Sequence, residues 1–454
     1  MRAVREIVQE VPEYTEFMTI NELVESSRKL VSENTDIAEL VEAGSSRANI
    51  PVYALIIHGV GEKRVLAFAF PHPNEPIGSL TLEFLSWKLV KDRELLRKTN
   101  ATWIIVKVAD VFGVKLNEGW FKGPFNIRKY VLNYYRPPPW KQVEWSFPFE
   151  YKTLKWDKPI PETEAIMKLI DEWKPTHIYS LHNAGFTGTY YYVTKKPNAE
   201  VLEILKTIPK ELKVPIHKGE PEAPYMEKID EAVFKMPSLS EAYDWLEKYL
   251  KGKDPAEILK HGGSSYDYAR KVNPDVFELI CEVPYIYDNR LDIDIPIGIP
   301  RREILRISLN RNKKELSVIE RVKDKLSNYV SADNPFYESL DAFVTLAKDY
   351  MEAEENWINT DPTLDRSATV AEAFDSYLET YWSPIFRYGL AYRAIRYEKA
   401  KGIKNNVLNR LEREVLAHVD ECIETLDKLS KYEIIPVRNL VQIQVAAIIS
   451  SILT

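Results

Sequence analysis

The chain has 454 residues, enough for one large α/β domain with an additional region or for two or three smaller domains. Hydrophobic residues make up 45% and charged residues 28% of the sequence, which is the balance of an ordinary globular protein and excludes a low-complexity chain. The formal net charge is −7 and acids and bases are interspersed, which argues against nucleic-acid binding.

Cysteine usage and apolar tracts indicate the compartment. Cys281 and Cys422 are too few for a disulfide framework, which indicates a reducing environment. The N-terminus lacks the apolar core of a signal peptide, and the apolar tract at 445–453 is too short to span a bilayer. We therefore predict a cytoplasmic protein without a membrane or nucleic-acid partner. The sequence leaves open whether copies of the chain form a homo-oligomer.

Helices and buried strands alternate in the first two thirds of the chain. Residues 1–48 have helical periodicity, with Thr19 as the N-cap of a helix over 20–30 and a second amphipathic stretch at 36–43. The further predicted elements are strands at 51–58 and 65–70 joined as a hairpin, helices at 80–91 and 162–173, and strands at 103–108, 177–181, 190–193 and 276–283. This alternation predicts an α/β fold.

Residues 116–148 are an irregular segment rich in aromatic residues, proline and arginine. A loop of this length is usually functional or disordered, and so many aromatic residues argue against disorder. They either line a substrate cleft or pack as the core of the loop, and we favour the packed core. The aromatic residues concerned are Trp120, Phe121, Phe125, Tyr130, Tyr134, Tyr135, Trp140 and Trp145.

Beyond about residue 325 the periodicity is helical, which places a domain boundary between 1–325 and 326–454. Helices are predicted at 339–353, 371–381, 385–401, 407–429 and 437–453, with Pro384 and Gly402 as breaks. Long helices with short connections predict a bundle that covers a cleft, forms a dimer interface or completes the core. A basic stripe, which we interpret as a solvated face beside the acidic residues of the neighbouring helices, consists of Arg387, Arg393, Arg396 and Lys399.

Residues with catalytic chemistry follow three predicted strands. His72 and Glu75 come directly after the strand that Pro71 ends, His182 follows the strand at 177–181, and Glu282 lies near the end of the strand at 276–283. Ligands of open α/β sheets bind beyond the carboxyl ends of the strands. An imidazole and a carboxylate there can hold a catalytic zinc ion that needs a third protein ligand and an open position for water, and His182 is the candidate third ligand.

The spacing His-x-x-Glu is not specific by itself. It recurs at 217–220 and at 418–421. His217 follows a polar, proline-containing stretch that indicates an exposed loop, and His418 lies in a helical pattern in which such pairs are common. His72 alone follows a predicted strand, so we favour the pair His72 and Glu75.

Four segments, in this order and spacing, resemble the zinc carboxypeptidase family. Residues 71–78 (Pro-His-Pro-Asn-Glu-Pro-Ile-Gly) are similar to its first zinc motif, and 181–183 (Leu-His-Asn) to the segment with the third ligand. Residues 262–267 (Gly-Gly-Ser-Ser-Tyr-Asp) resemble the segment before the catalytic glutamate, and 281–284 (Cys-Glu-Val-Pro) the strand that carries it. The resemblance extends from about residue 20 to about residue 300.

The resemblance implies a mixed, largely parallel central sheet flanked by helices, and one Zn²⁺ held by His72, Glu75 and His182. The zinc polarises a carbonyl and activates a water, while Glu282 takes the proton from the water and delivers it to the leaving amine. Glu278 is the alternative base, since residues 278, 280 and 282 share one face of a strand. The far end of the strand, where the family has its glutamate, favours Glu282.

The chain departs from the family where the substrate carboxylate binds. The family uses an Asn-Arg pair, and here Asn117 matches the asparagine while Glu118 replaces the arginine, so that a carboxylate would be repelled. Three alternatives remain open at this point: Arg128 or Arg136 anchors the substrate, Glu118 binds a cationic or neutral group, or Glu118 pairs with a lysine. For the tyrosine that assists catalysis in the family, His261 or Tyr266 could substitute.

From the motifs and this departure we predict a zinc-dependent hydrolase of peptide or amide bonds that is carboxypeptidase-like and acts on a small substrate. Glu282 is the predicted base, and Asn117, Glu118 and Arg128 are the predicted substrate contacts. Two alternatives remain, an amidase or deacylase of acylated amino acids and a non-catalytic zinc-binding homologue.

Overall fold

The computed structural model describes residues 2–219, 222–250 and 252–454. The helices are α1 (Arg2–Gln9), α2 (Ile20–Glu33), α3 (Ile77–Lys91), α4 (Arg93–Thr99), α5 (Val111–Asn117), α6 (Ile127–Asn133), α7 (Pro161–Trp173), α8 (Ala199–Glu211), α9 (Leu239–Tyr249), α10 (Ser265–Val272), α11 (Arg301–Ser327), α12 (Pro335–Thr360), α13 (Val370–Ala400), α14 (Asn406–Leu429) and α15 (Val437–Ile452). The strands are β1 (Ala38–Ser45), β2 (Pro51–Ile57), β3 (Lys63–Ala69), β4 (Ala101–Val106), β5 (Phe149–Tyr151), β6 (Leu154–Trp156), β7 (His177–Phe186), β8 (Tyr190–Val193), β9 (Lys228–Asp230), β10 (Val233–Lys235), β11 (Phe277–Tyr287), β12 (Pro296–Pro300), β13 (Ser367–Thr369) and β14 (Glu433–Ile434).

One mixed sheet forms the centre of the molecule. Its strand order is β1-β2-β4-β3-β7-β11-β8-β10-β9, and β14 also pairs with β11. The central strands β4, β3, β7 and β11 are parallel to one another, whereas the pairs β1–β2, β2–β4 and β11–β8 are antiparallel. Helices flank this sheet, which confirms the predicted α/β class and the mixed sheet with a parallel centre.

Local sequence signals gave the helix starts better than the pairing of the first strands. Thr19 caps α2 as predicted, and its side chain and that of Glu22 form a reciprocal capping box. Residues 38–45, however, form the edge strand β1, because pairing with β2 overrides the weak helical periodicity of a short segment. The predicted hairpin is also wrong, since β2 pairs with β1 and β4 while β3 pairs with β4 and β7.

The C-terminal helices α11 to α14 pack against one another as the predicted bundle. The predicted break at Pro384 is absent, and α13 runs through it as one helix. A proline inside a helix removes one backbone hydrogen bond, and the packing of α13 between α11, α12 and α14 compensates for this loss.

The last helix, α15, belongs to the sheet layer. Nearly all of its residues are buried, including Ser450 and Ser451, and it packs against α1, α3, α8 and β11. The predicted boundary between residues 325 and 326 falls inside α11. Among the described residues, no helix has both the length and the apolar character that a membrane span requires.

Candidate metal centre

His72 and Glu75 lie in the turn between β3 and α3. Phe70, directly after β3, has a φ of 55°, which is uncommon for a large side chain and reverses the chain at the carboxyl end of the strand. The N–H of Glu75 donates to the carbonyl oxygen of His72 at 3.1 Å, which closes the turn before α3 begins. Both side chains are buried.

His182 and Glu282 come from the neighbouring strands. They lie inside β7 and β11 and not at their ends, because both strands are longer than predicted. The two residues are opposite each other in the parallel register, and His182 Nδ1 is 3.6 Å from Glu282 Oε1. The period of two along each strand therefore directs both side chains to one face of the sheet.

Three potential ligands converge at this point. One ligand atom from each of His72, Glu75 and His182 lies within 4.8 Å of the other two. His182 Nδ1 is 3.0 Å from Glu75 Oε2, and the centres of the two imidazole rings are 5.0 Å apart. The predicted convergence is thus present in the structure, while the role of these residues as ligands remains a prediction.

A hydrogen-bond chain behind His182 fixes its tautomer. The hydroxyl of Ser180 donates to Glu144 Oε1 at 2.8 Å, so Ser180 Oγ accepts from His182 Nε2–H at 3.0 Å. A neutral His182 then carries its lone pair on Nδ1, the atom that faces Glu75. Two lone pairs at 3.0 Å repel each other unless a cation or a proton lies between them.

The titratable groups respond to this crowding in opposite directions. Burial lowers the pKa of His72 well below its ordinary value, and Arg136 and His182 add to this effect. Burial would also lower the pKa of His182, but the carboxylates of Glu282 and Glu75 outweigh it and raise that pKa to about 9. Without a metal, a proton on Nδ1 takes the place between the lone pairs.

The donor set fits a metal ion. His72 Nδ1 is buried and has no hydrogen-bond partner among the described residues, which is costly for a polar atom unless it has a ligand. Two imidazole nitrogens and one carboxylate oxygen form a known donor set of catalytic zinc sites, which keep a further position open for water. His72, Glu75 and His182 are the residues that would hold the ion.

Glu282, and not Glu278, lies at this centre. Burial raises the pKa of the Glu282 carboxyl well above its ordinary value; His182 opposes this shift, and Glu222 and Glu75 reinforce it. Glu278 is four residues earlier on β11, ~13 Å along the strand. Its Oε1 accepts from the hydroxyl of Ser265 at 2.8 Å, within the network that includes Glu144.

Arg136 connects the centre with a neighbouring cavity. Its Nη1 donates to Glu75 Oε1 at 3.1 Å, and its Nε donates to Gln142 at 3.3 Å. The cavity has a volume of about 380 Å³, in the range of small-molecule sites, and Arg136 lines it. From the helical bundle, α12 and α13 contribute to its lining Phe343, Tyr350, Ser383, Phe386, Arg387 and Leu390.

All three residues that we predicted as substrate contacts have structural partners within the chain. Asn117 is fully buried and bonds the backbone of Gly113 and Tyr135. Glu118 accepts from Lys115 and from the N–H of Ile20, both at 2.9 Å, as in the alternative that pairs it with a lysine.

The third predicted contact, Arg128, donates to Asp420 of α14 at 2.7 Å. Both side chains of this pair are about half exposed. Of the two arginines considered as substitutes for the family anchor, Arg136 therefore lies at the centre and Arg128 at the surface.

One part of the aromatic segment packs as a core, and another part lines the cavity. Trp120 packs on Phe17, Tyr130 and Tyr285, so this part of the segment is a packed core. Tyr134 and Trp145, in contrast, line the cavity.

The two residues that could substitute for the family's tyrosine, His261 and Tyr266, have different surroundings. His261 lines the cavity and packs on Trp145, with ring centres 5.4 Å apart. Tyr266 packs under the guanidinium of Arg270. Of these two residues, His261 therefore lines the cavity and Tyr266 does not.

The histidines of the other two His-x-x-Glu pairs are not among the converging residues. His217 is buried and its Nδ1 lies 2.7 Å from the hydroxyl of Thr187, while Glu220 lies outside the described residues. His418, on α14, stacks on Tyr388 with ring centres 4.9 Å apart.

Sequence reasoning missed three residues around the centre. Glu144 supports His182 through Ser180, and its only signal is an acid within an aromatic stretch. Gln444 of α15 donates to the carbonyl oxygen of His182 at 3.0 Å, and a glutamine in a nearly all-apolar helix was a usable signal. The third is Arg387, which lines the cavity, whereas the sequence pattern placed it on a solvated face.

The chain is similar to solved metallopeptidase structures. It aligns with carboxypeptidase A of Helicoverpa armigera at 14% identity and a TM-score of 0.36, covering 63% of this chain and 70% of that one. Bovine thrombin-activatable fibrinolysis inhibitor, solved with a tick carboxypeptidase inhibitor, aligns at 13% identity and a TM-score of 0.34, covering 59% and 86%.

A metallo-carboxypeptidase of Burkholderia cenocepacia aligns at 14% identity and a TM-score of 0.32, covering 59% of this chain and 60% of that one. No protein-family model matches the chain, and no curated protein does. Metallopeptidases and metallocarboxypeptidases are thus the class of structures to which this chain is similar, as the sequence motifs predicted. At these identities and TM-scores, any assignment of activity depends on the geometry of the site itself.

Proposed function

We propose that the protein is a zinc-dependent hydrolase that cleaves a peptide or other amide bond in a small substrate. The observation that carries the proposal is the convergence of His72, Glu75 and His182 within 4.8 Å, with Glu282 3.6 Å from His182. Zinc held by these residues would act as a Lewis acid that polarises a carbonyl and lowers the pKa of water.

The residues of the chain divide the remaining work. Glu282 accepts the proton of the attacking water and then donates it to the nitrogen of the leaving amine, as the C–N bond breaks. Its raised pKa favours this exchange, because a carboxyl group with a pKa closer to neutrality can both take and give a proton. Ser180 and Glu144 hold His182 in the tautomer that presents Nδ1.

The size of the cavity supports a small substrate. It lies between the loop that carries Arg136 and the helices α12 and α13, and its volume of about 380 Å³ suits a dipeptide or an acylated amino acid. The same space is compatible with a peptidase and with the amidase or deacylase alternative. Both reactions use the same centre.

The test is the zinc content of the wild type and of His182→Ala by elemental analysis, with hydrolysis of mixed dipeptides and acylated amino acids assayed in parallel. We expect one equivalent of zinc in the wild type, and the loss of both zinc and hydrolysis in the variant. His418→Ala is the matched control, since His418 has the same His-x-x-Glu spacing on the surface of α14 and should change neither. A wild type free of zinc after supplementation, or zinc unaffected by His182→Ala, would contradict the proposal.

A further inference from the structure

Four residues of α13 form the basic stripe, and three of them have clear partners. Arg393 donates to the carbonyl oxygens of Leu116 and Asn133, both at 2.6 Å. Arg396 and Lys399 both pair with Glu412 of α14. In the described part of the chain, the guanidinium of Arg387 makes no hydrogen bond and no ion pair.

Arg387 lines the same cavity as Arg136. Arg136 already donates hydrogen bonds to Glu75 and Gln142, so it has fewer free N–H donors than Arg387. Burial lowers the pKa of Arg387, although Glu379 and Tyr134 oppose the shift. A cation that is partly desolvated without a contacting counter-ion destabilises the free protein, and an anion that enters the cavity removes this cost.

The other residues that line the cavity indicate what kind of ligand would fit beside Arg387. Phe386, Leu390 and Phe343 supply an apolar lining beside the guanidinium. Ser383 lies one turn earlier on the same face of α13 and also lines the cavity. Glu379 lies one further turn back on this face, and burial, reinforced by Asp375, raises the pKa of its carboxyl group to about 7.

We propose that Arg387 is a specificity-determining residue that binds an anionic group, carboxylate or phosphate, on an otherwise apolar part of the substrate. The anion-binding residue would then come from the helical bundle and not from the sheet or from the loop after α5. The inference rests on the proposed function for the position of the reacting bond. Anion binding itself does not require hydrolysis, and this allows a separate test.

The experiment uses 3-phenylpropionate and its uncharged isostere 3-phenylpropionamide as probes, with binding to the intact protein measured by calorimetry. We expect the wild type to bind the acid about 10- to 100-fold more tightly than the amide, the range for a charge-assisted hydrogen bond. R387Q should lose this preference, and R387K should keep part of it because a lysine retains the charge but not the planar fork. Phenyl phosphate in place of the acid distinguishes phosphate from carboxylate recognition.

R396Q is the matched control, since Arg396 lies on the same helix with its side chain mostly exposed. It should leave the preference unchanged. All titrations are repeated after chelation of metal, because a carboxylate can also bind a metal ion directly. An unchanged preference for the acid in folded R387Q, equal binding of acid and amide in the wild type, or a preference that disappears on chelation would overturn the proposal.

The same titrations separate the two proposals. A protein without zinc and without hydrolysis that still prefers the acid in an Arg387-dependent way retains the anion site and loses the proposed function. A zinc-dependent hydrolase that treats acid and amide alike retains the function and loses the anion site.

Discussion

The parallel centre of the sheet and the helical bundle contribute to the candidate site by different means. On β7 and β11, the register of the strands places His182 opposite Glu282. On α13, the position of Arg387 depends on where a long helix lies relative to the cavity. The sheet thus fixes His182 and Glu282 through backbone hydrogen bonds, and the bundle positions Arg387 through side-chain packing.

The largest expected effect tests the sheet side. Glu282→Gln should lower kcat by about 10²- to 10⁴-fold, the usual contribution of a general base. The zinc content should stay unchanged, because Glu282 is not among the three converging ligands. Steady-state kinetics together with metal analysis measure both quantities.

Glu278→Gln is the control for this variant. Burial, reinforced by Glu144, raises the pKa of the Glu278 carboxyl well above its ordinary value, so glutamine resembles its protonated form. This variant should retain most of kcat. The reverse result, with activity lost in Glu278→Gln and kept in Glu282→Gln, would assign the base to Glu278.

A residue of the loop before α10 and a residue of the bundle should respond in opposite directions to pH. Burial lowers the pKa of His261 to about 4, from an ordinary value of 6.5. The unfolded chain therefore binds a proton that the folded protein does not, and the free energy of unfolding falls as the pH drops from 6.5 to 4, by at most about 3 kcal/mol. The free energy of unfolding, measured by denaturant titration at several pH values across this range, should change less with pH for His261→Phe than for the wild type.

In the bundle the sign is reversed. Burial raises the pKa of Glu354, on α12, to about 7, although Arg301 and Lys313 oppose the shift. The folded protein then keeps a proton that the unfolded chain has lost, so the free energy of unfolding falls as the pH rises from 4.5 to 7. In Glu354→Gln, the free energy of unfolding should change less between pH 4.5 and 7 than in the wild type. The same dependence on pH in the variant would show that Glu354 titrates normally in the folded protein.

The smallest expected effect connects the sheet with its last helix. Gln444→Leu removes the hydrogen bonds to the carbonyl oxygens of His182 and Cys281 and should lower the free energy of unfolding by about 1–3 kcal/mol. Gln442 lies on the same helix as Gln444 and donates to the carbonyl oxygen of Val8 on α1. Gln442→Leu, which removes this bond, is the control. Both variants should be less stable, but only Gln444→Leu should also weaken zinc binding. Equal zinc affinity in the two would show that Gln444 has no influence on His182.

Sequence reasoning was most successful where position follows from the backbone. The convergence of His72, Glu75, His182 and Glu282 could be predicted by placing them near the ends of neighbouring parallel strands, although β7 and β11 continue beyond His182 and Glu282. The substrate contacts could not be predicted in this way. Asn117 bonds Tyr135 and Glu118 bonds Ile20, and these tertiary contacts, which the sequence does not reveal, decide whether the two side chains are free.

The interpretation of the basic stripe as a solvated face holds for Arg396 and Lys399, which pair with Glu412, and is wrong for Arg387 and Arg393. Helical periodicity states which residues share a face, but not which element covers that face. The predicted break at Pro384 hid the continuity of α13, and with it the alignment of Ser383 and Arg387 along the cavity. A glutamine in the apolar helix α15 was the one available sign of the contact behind His182.

The burial of α15 also has a consequence for the order of events during synthesis. The strands that carry the reacting groups are complete at Tyr287, but the helix that covers them begins about 150 residues later, at Val437. At rates of 5 to 20 residues per second, the nascent chain carries an uncovered apolar sheet face for roughly 8 to 30 s. Over this interval the part of the sheet face that α15 covers stays exposed, and the hydrogen bond from Gln444 to His182 cannot form until translation has passed α15.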